Sequence, residues 1–176
     1  MTGILIVPGL GGSGPEHWQT RWQACDPRCV RVLQDDWDRP HREAWCARLE
    51  QAVSQAGSEV VLVAHSLGCL TVAHWARRGS VQRVHGALLV APPDVESLER
   101  CPSVLHGFAP IPRDTLPFPS ILVASRDDAY AHIDCARELA TAWGARFVDV
   151  GERGHINADS GLGEWQEGRA LLAALL

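Results

Sequence analysis

The chain has 176 residues, enough for one domain with a sizeable core, and its 46% hydrophobic and 21% charged content is that of an ordinary globular protein. A formal charge of −5 without any basic run argues against a nucleic-acid partner, and no apolar stretch is long enough to cross a bilayer. All 16 basic residues are arginine, and a chain without lysine has no Walker-type phosphate loop, no Schiff-base catalysis and no anchored pyridoxal phosphate.

The amino-terminal stretch MTGILIVPGL carries neither a basic leader nor a small-residue cleavage site, so a cytoplasmic location is expected. Cysteines at 25, 29, 46, 69, 101 and 135 share no repeated spacing and are expected to be reduced thiols. Cys25 and Cys29 lack a second Cys/His pair, so no metal site is expected there.

The first strand is read at 4–7 and leads into GLGGSG. Gly9, Gly11 and Gly14 match the dinucleotide fingerprint G-x-G-x-x-G, with Asp35 and Asp36 about 20 residues further on. Pro15 breaks the mechanism behind that match. The third glycine of the fingerprint belongs inside a helix, whereas a residue before proline is pushed out of the α region, so no helix starts before Pro15. An amide-rich loop at the carboxyl end of a strand has another use, which is to point N–H groups at a developing oxyanion.

A short helix is read at 17–24, stopped by Asp26-Pro27, then a strand at 29–33 and a helix at 41–55. The segment VVLVAHSLGCL at 60–70 follows: a strand at 60–64, a serine on the turn, and a helix at 67–77. This is the strand–turn–helix setting of a nucleophile elbow, where positions two before and two after the serine must be small because the backbones nearly touch. Ala64 and Gly68 meet that demand, with one methyl group more than the usual glycine at the first position.

Strands are read at 87–90, 121–124 and 147–150, and helices at 133–143 and 165–176. The intervening stretch 92–120 holds seven prolines and is expected to be an irregular loop passing the carboxyl ends of the strands. Aliphatic strands alternating with helices imply a mostly parallel six-stranded sheet covered on both faces, a single domain over 1–176.

A serine hydroxyl needs a base, itself oriented by a carboxylate, and in this fold class the partners follow as Ser, Asp, His. Asp127 and Asp128 come just after one strand and His155 just after the next. Asp128 is the favoured acid, with Asp127 and Asp94 read as turn residues. The oxyanion donors are expected at the amides of Leu10 and Leu67. Gly9, Gly11, His17, Trp18 and His65 are candidates for the pocket wall, and His65 is expected to pack beside the elbow rather than act chemically. His17, His41, His74, His85, His106 and His132 show no partners at the level of sequence.

The segments VPGLGGSGPEHW, VLQDDWDRPHREAW, VAHSLG, FAPIPRDTLPFPS, ASRDDAY and GHIN, in that order, resemble the family of small serine hydrolases that includes YdeN and retinoblastoma-binding protein nine. The resemblance spans nearly the whole chain. It implies a reduced three-layer α/β-hydrolase fold without a cap domain, no cofactor, esterase-type activity, and Ser66, Asp128 and His155 as nucleophile, acid and base. The L-x-C-x-E motif of the retinoblastoma-binding member is missing here, since threonine stands at position 71. The reading is a hydrolase of small carboxylic esters or related acyl substrates. The alternative is a protein-interaction module on the same scaffold, and a nicotinamide or flavin oxidoreductase is disfavoured by Pro15. Oligomeric state is not legible.

Overall fold

Strands that are aliphatic at consecutive positions must bury both faces, which requires helices above and below the sheet they form. The computed structural model describes residues 2–176. Its strands are β1 (Gly3–Val7), β2 (Cys29–Arg31), β3 (Val60–His65), β4 (Val84–Val90), β5 (Ser120–Ala124) and β6 (Arg146–Asp149). They make one 6-stranded sheet in the order β2-β1-β3-β4-β5-β6, with every neighbouring pair parallel. The helices are α1 (Trp18–Cys25), α2 (Arg42–Gln55), α3 (Leu67–Ala76), α4 (Ile133–Trp143) and α5 (Gln166–Ala173).

Alternate strand residues divide the core in two. Leu5, Val7, Leu62, Ala64, Leu89 and Leu122 face α2, α3 and α4, meeting Leu49, Leu70 and Leu139. Ile4, Ile6, Val61, Val63, Leu88 and Val123 face α1 and α5, meeting Trp18, Trp22 and Leu172. The result is a three-layer α/β-hydrolase sandwich, and no cap domain is evident among the described residues. Strand order reverses between β1 and β3, so the crevice at their carboxyl ends is the switch point where ligands bind in open parallel sheets.

Most element ends fall within one residue of the sequence reading, and the larger departures have physical reasons. β2 ends at Arg31 rather than 33, because it is an edge strand paired only to β1 and its apolar run leaves Leu33 largely exposed. β4 begins at Val84 rather than 87, with a register shift between Val60 and Val61 absorbing the irregular start. α5 begins only after Trp165, whose φ of 43° is left-handed, and stops at Ala173. The proline-rich stretch is not an open loop: it contains a 3-10 helix at Ser103–Phe108 and buries Phe108, Ile111, Leu116 and Phe118 against the α2–α4 side. Two hydrogen bonds fasten it to the end of α4, from the Trp143 indole to the Pro112 carbonyl (2.7 Å) and from the Leu116 amide to the Trp143 carbonyl (3.0 Å).

Glu50 ties α2 to the end of α3. Its carboxylate accepts from the Ser80 hydroxyl (2.5 Å) and amide (2.9 Å), the Trp75 indole (2.7 Å) and the Ser54 hydroxyl (3.1 Å). Partial burial pulls its pKa upward, but these donors together outweigh burial and hold it at about 2. A carboxylate depressed from an ordinary value of 4.5 stabilises the fold above that pH, and its contribution disappears as pH falls from 4.5 toward about 2. Glu50→Gln is therefore expected to lower the melting temperature near neutral pH by about 2–4 °C. In melts followed by circular dichroism, the gap to the parent protein closes progressively below pH 4.5.

Candidate active site

β3 is buried along its whole length and runs straight into α3, so the one residue between them must reverse the chain direction sharply. That residue is Ser66, at φ 54° and ψ −124°, a conformation that costs a non-glycine residue about 1–3 kcal/mol. Its amide donates to the Val90 carbonyl at 2.8 Å, which pins the turn to β4. Two residues on, a Cβ at Gly68 would lie 2.2 Å from the Val7 carbonyl oxygen and 2.9 Å from that of Pro8. Only glycine lets α3 approach the end of β1 this closely. Gly9 faces the same turn from the other side, where a Cβ would sit 2.9 Å from the Ser66 Cβ and 3.2 Å from the Leu67 nitrogen.

Three side chains far apart in sequence meet at this turn. His155 Nε2 is 2.8 Å from Ser66 Oγ, and His155 Nδ1 is 2.9 Å and 3.0 Å from the two Asp128 oxygens. With Asp128 ionised, Nδ1–H donates to the carboxylate and Nε2 is left as an acceptor for the serine hydroxyl. Asp128 is almost fully buried and also accepts from the Tyr130 amide at 2.9 Å. Asp127 does not reach the imidazole. Its carboxylate accepts from the Ser125 hydroxyl (2.7 Å) and the Gly154 amide (2.8 Å), so it holds the loop that carries His155. Asp94 is a turn residue, accepting from the Glu96 amide at 3.2 Å.

The glycine loop folds over the elbow as a 3-10 turn at Leu10–Gly12, and the next helix starts only at Trp18. Gly14 therefore lies outside any helix. The amides of Leu10 and Leu67, each first in its helical segment, donate to no carbonyl among the described residues. Two residues not singled out by the sequence brace this loop. Arg31 binds the carbonyls of Gly12 and Ser13 (3.3 Å for the latter), the Thr20 hydroxyl (2.7 Å) and Gln23 (2.9 Å). Gln19, fully buried, accepts from the Ser13 hydroxyl (2.7 Å) and donates to the carbonyls of Val63 (3.0 Å) and Val7 (3.4 Å).

Ser66 and His155 open into a cavity of about 240 Å³. Leu10, Gly11, His17 and His65 line it, whereas Gly9 and Trp18 do not. Gly9 lies beneath the elbow for the steric reason given above. Trp18 is buried in the core, its indole donating to the Ile156 carbonyl (2.8 Å) and its ring packing against Trp22 and Trp165. It supports the histidine loop from below instead of walling the pocket. Pro102, Leu105, Tyr130 and Asn157 also line the cavity. Pro102 and Leu105 come from the proline-rich stretch that the sequence places past the carboxyl ends of the strands, whereas Tyr130 and Asn157 are not singled out by the sequence.

Three histidines without sequence-level partners have backbone ones: His17 caps α1, His132 caps α4, and His74 Nε2 lies 2.7 Å from the Phe108 carbonyl. His65 packs edge to face against two neighbouring imidazoles, with centroid separations of 4.6 Å to His17 and 4.9 Å to His155. Burial, then the charges of Arg31 and His155, push the His17 pKa down to about 4; burial, then His17 and His155, keep His65 well below its ordinary value. Both rings are neutral near pH 7. A larger hollow of about 550 Å³ lies at the opposite, amino end of β1 and β3. Among the described residues all six cysteines are unpaired, and no three His, Cys, Asp or Glu side chains form a metal-binding group. Burial pushes the thiols of Cys29, Cys46, Cys101 and Cys135 up to about 11, so these are poor nucleophiles at neutral pH. No helix among the described residues is long and apolar enough to cross a membrane.

A family model described as serine hydrolase matches residues 4–174. A YdeN-like hydrolase from Pectobacterium atrosepticum is 32% identical, superimposes with a TM-score of 0.89, and aligns over 99% of this chain and 90% of its own. The ydeN product of B. subtilis aligns over 99% and 98% at 18% identity with a TM-score of 0.76. An esterase from Thermogutta terrifontis aligns over 99% and 89% at 17% identity with a TM-score of 0.68, and these last two likenesses concern the fold alone. No curated protein matches the sequence.

The contact at Gly68 makes a direct prediction. Gly68→Ala forces a methyl group into the Val7 carbonyl and is expected to destabilise the protein by about 3 kcal/mol or more, read as a fall in the urea midpoint or loss of soluble protein. Gly57→Ala, where a Cβ meets nothing within 4 Å, serves as the control and leaves the midpoint nearly unchanged.

Proposed function

This chain belongs to the serine hydrolase family, and on that premise we propose that it hydrolyses small carboxylic esters through an acyl-enzyme on Ser66. The observation that carries the reading is the continuous relay from Ser66 Oγ through His155 to Asp128, with hydrogen bonds of 2.8 and 2.9 Å at the carboxyl ends of the strands.

In this mechanism His155 Nε2 takes the Ser66 proton as the oxygen attacks the ester carbonyl. Asp128 orients the ring and stabilises its charged form. The unused amides of Leu10 and Leu67 donate to the tetrahedral oxyanion, each worth on the order of 10² in rate. His155 then returns the proton to the departing alkoxide. Water, activated by the same nitrogen, attacks the acyl-enzyme and releases the acid. The cavity of about 240 Å³ suits a short acyl group better than a long chain. Six unpaired cysteines support a reducing, cytoplasmic setting. The interaction-module alternative is disfavoured by Ser66 itself, because a scaffold without chemistry has no need to keep a serine in a conformation this strained.

Ser66→Ala is expected to lower turnover of 4-nitrophenyl acetate by at least about 10³-fold, and Asp128→Asn by roughly 10³ to 10⁴, with the circular dichroism spectrum retained in both. A fluorophosphonate probe should label the parent at Ser66 and leave Ser66→Ala unlabelled. Folded parent protein that takes up no probe and cleaves no ester overturns the assignment.

A further inference from the structure

Two imidazoles besides His155 reach the cavity at Ser66, and each has one ring nitrogen its surroundings do not use. His17 is 4% exposed, and its Nδ1 accepts from the Gln19 amide at 3.2 Å as the cap of α1. A neutral ring with Nδ1 accepting carries its proton on Nε2. That Nε2–H is buried and meets no acceptor. His65 has the opposite arrangement. Its Nε2 lies 2.9 Å from the His155 carbonyl, which can only accept, so the proton sits on Nε2 and Nδ1 presents a lone pair. No other hydrogen bond reaches the His65 ring among the described residues. The rings touch at 4.6 Å between centroids without bonding to one another.

Two adjacent rings that line the cavity thus carry an unpaired donor, His17 Nε2–H, closed off in the unliganded site, and an unpaired acceptor, His65 Nδ1. Leaving a buried donor unpaired costs about 1–3 kcal/mol, so its complement belongs to whatever occupies the site. One atom that satisfies both must accept and donate together. A hydroxyl oxygen does so. An ether or ester oxygen only accepts, an ammonium only donates, and a methyl group does neither.

We infer that His17 and His65 form a hydroxyl-recognition subsite, which makes esters of short hydroxy acids the preferred substrate class. This rests on the reading of Ser66 as nucleophile. The substrate hydroxyl accepts from His17 Nε2–H and donates to His65 Nδ1, while the scissile carbonyl lies at Ser66. The cavity of about 240 Å³ confines the acyl part to a few carbons, which keeps the hydroxyl and the carbonyl close together. A site built to bond a hydroxyl discriminates against the analogue lacking it, because its own polar groups are then left stranded.

The test compares kcat/KM for ethyl butyrate with that for each enantiomer of its 2-hydroxy and 3-hydroxy derivatives, measured by acid release. The parent is expected to prefer at least one hydroxy ester by about tenfold or more. His17→Asn keeps the helix cap through its own carbonyl oxygen but has no group at the position of Nε2, and His17→Ser serves as a second capping variant. In both, the ratio of hydroxy to plain ester is expected to fall to about 1. Because the ratio is taken within each variant, a general loss of stability or activity cancels. A parent that cleaves all the esters equally while Ser66 takes up a fluorophosphonate overturns the subsite and leaves the nucleophile standing. Retention of the preference in the His17 variants also overturns the subsite. No hydrolysis and no labelling overturns both.

Discussion

The carbonyl oxygen of Val7 occupies the space that a side chain at position 68 would need, and the geometry of the carboxyl-terminal rim follows from this contact. α3 can lie against the end of β1 only because Gly68 has no Cβ. That approach compresses the junction between β3 and α3 into a single residue and drives Ser66 to positive φ. With both neighbouring backbones so near, the Ser66 hydroxyl has nowhere to go but outward over the rim. The same crowding brings the glycine loop down beside the Leu67 amide, so close that a Cβ at Gly9 would sit 3.2 Å from the Leu67 nitrogen.

Around this junction, polar side chains act as braces rather than reactants. Gln19 joins the ends of β1 and β3 to Ser13, and Arg31 gathers two carbonyls of the glycine loop. Asp127 holds Gly154 while its neighbour Asp128 holds the His155 ring, so adjacent carboxylates orient the backbone and the side chain of one loop. His65 adds a bond to the His155 carbonyl. Loops carry no regular hydrogen-bond ladder, so their positions depend on such side-chain bonds. Covering the opposite face of the sheet, the proline-rich strap packs Phe108, Ile111 and Phe118 into the core and sends only Pro102 and Leu105 to the cavity.

Residue type and order along the chain determined the layered α/β class, the six strands and the candidates Ser66, Asp128 and His155. Periodicity and glycine or proline signals are local properties, and each candidate stands within five residues of the end of an aliphatic run. Pro15 was likewise enough to show that the glycine loop opens no helix at Gly14. Strand ends were less legible, as at β2, where Leu33 continues the apolar pattern but lies beyond the last pairing with β1. The buried strap at 103–118 is not legible in the sequence, because prolines interrupt the spacing of the aliphatic positions between them.

What only the tertiary structure decided is contact between distant segments. Nothing near positions 9, 18, 19 or 31 shows that Gly9 lies beneath the elbow, that Trp18 supports the histidine loop, or that Gln19 and Arg31 hold the glycine loop. The sequence favours Asp128 over Asp127 but does not show what the other carboxylate does: both follow β5, and one residue of difference turns a carboxylate toward the His155 ring or toward the Gly154 amide. A hydrogen bond of 2.8 Å between residues 66 and 155 depends on where the sheet sets two strand ends, and that is fixed by packing across the whole core.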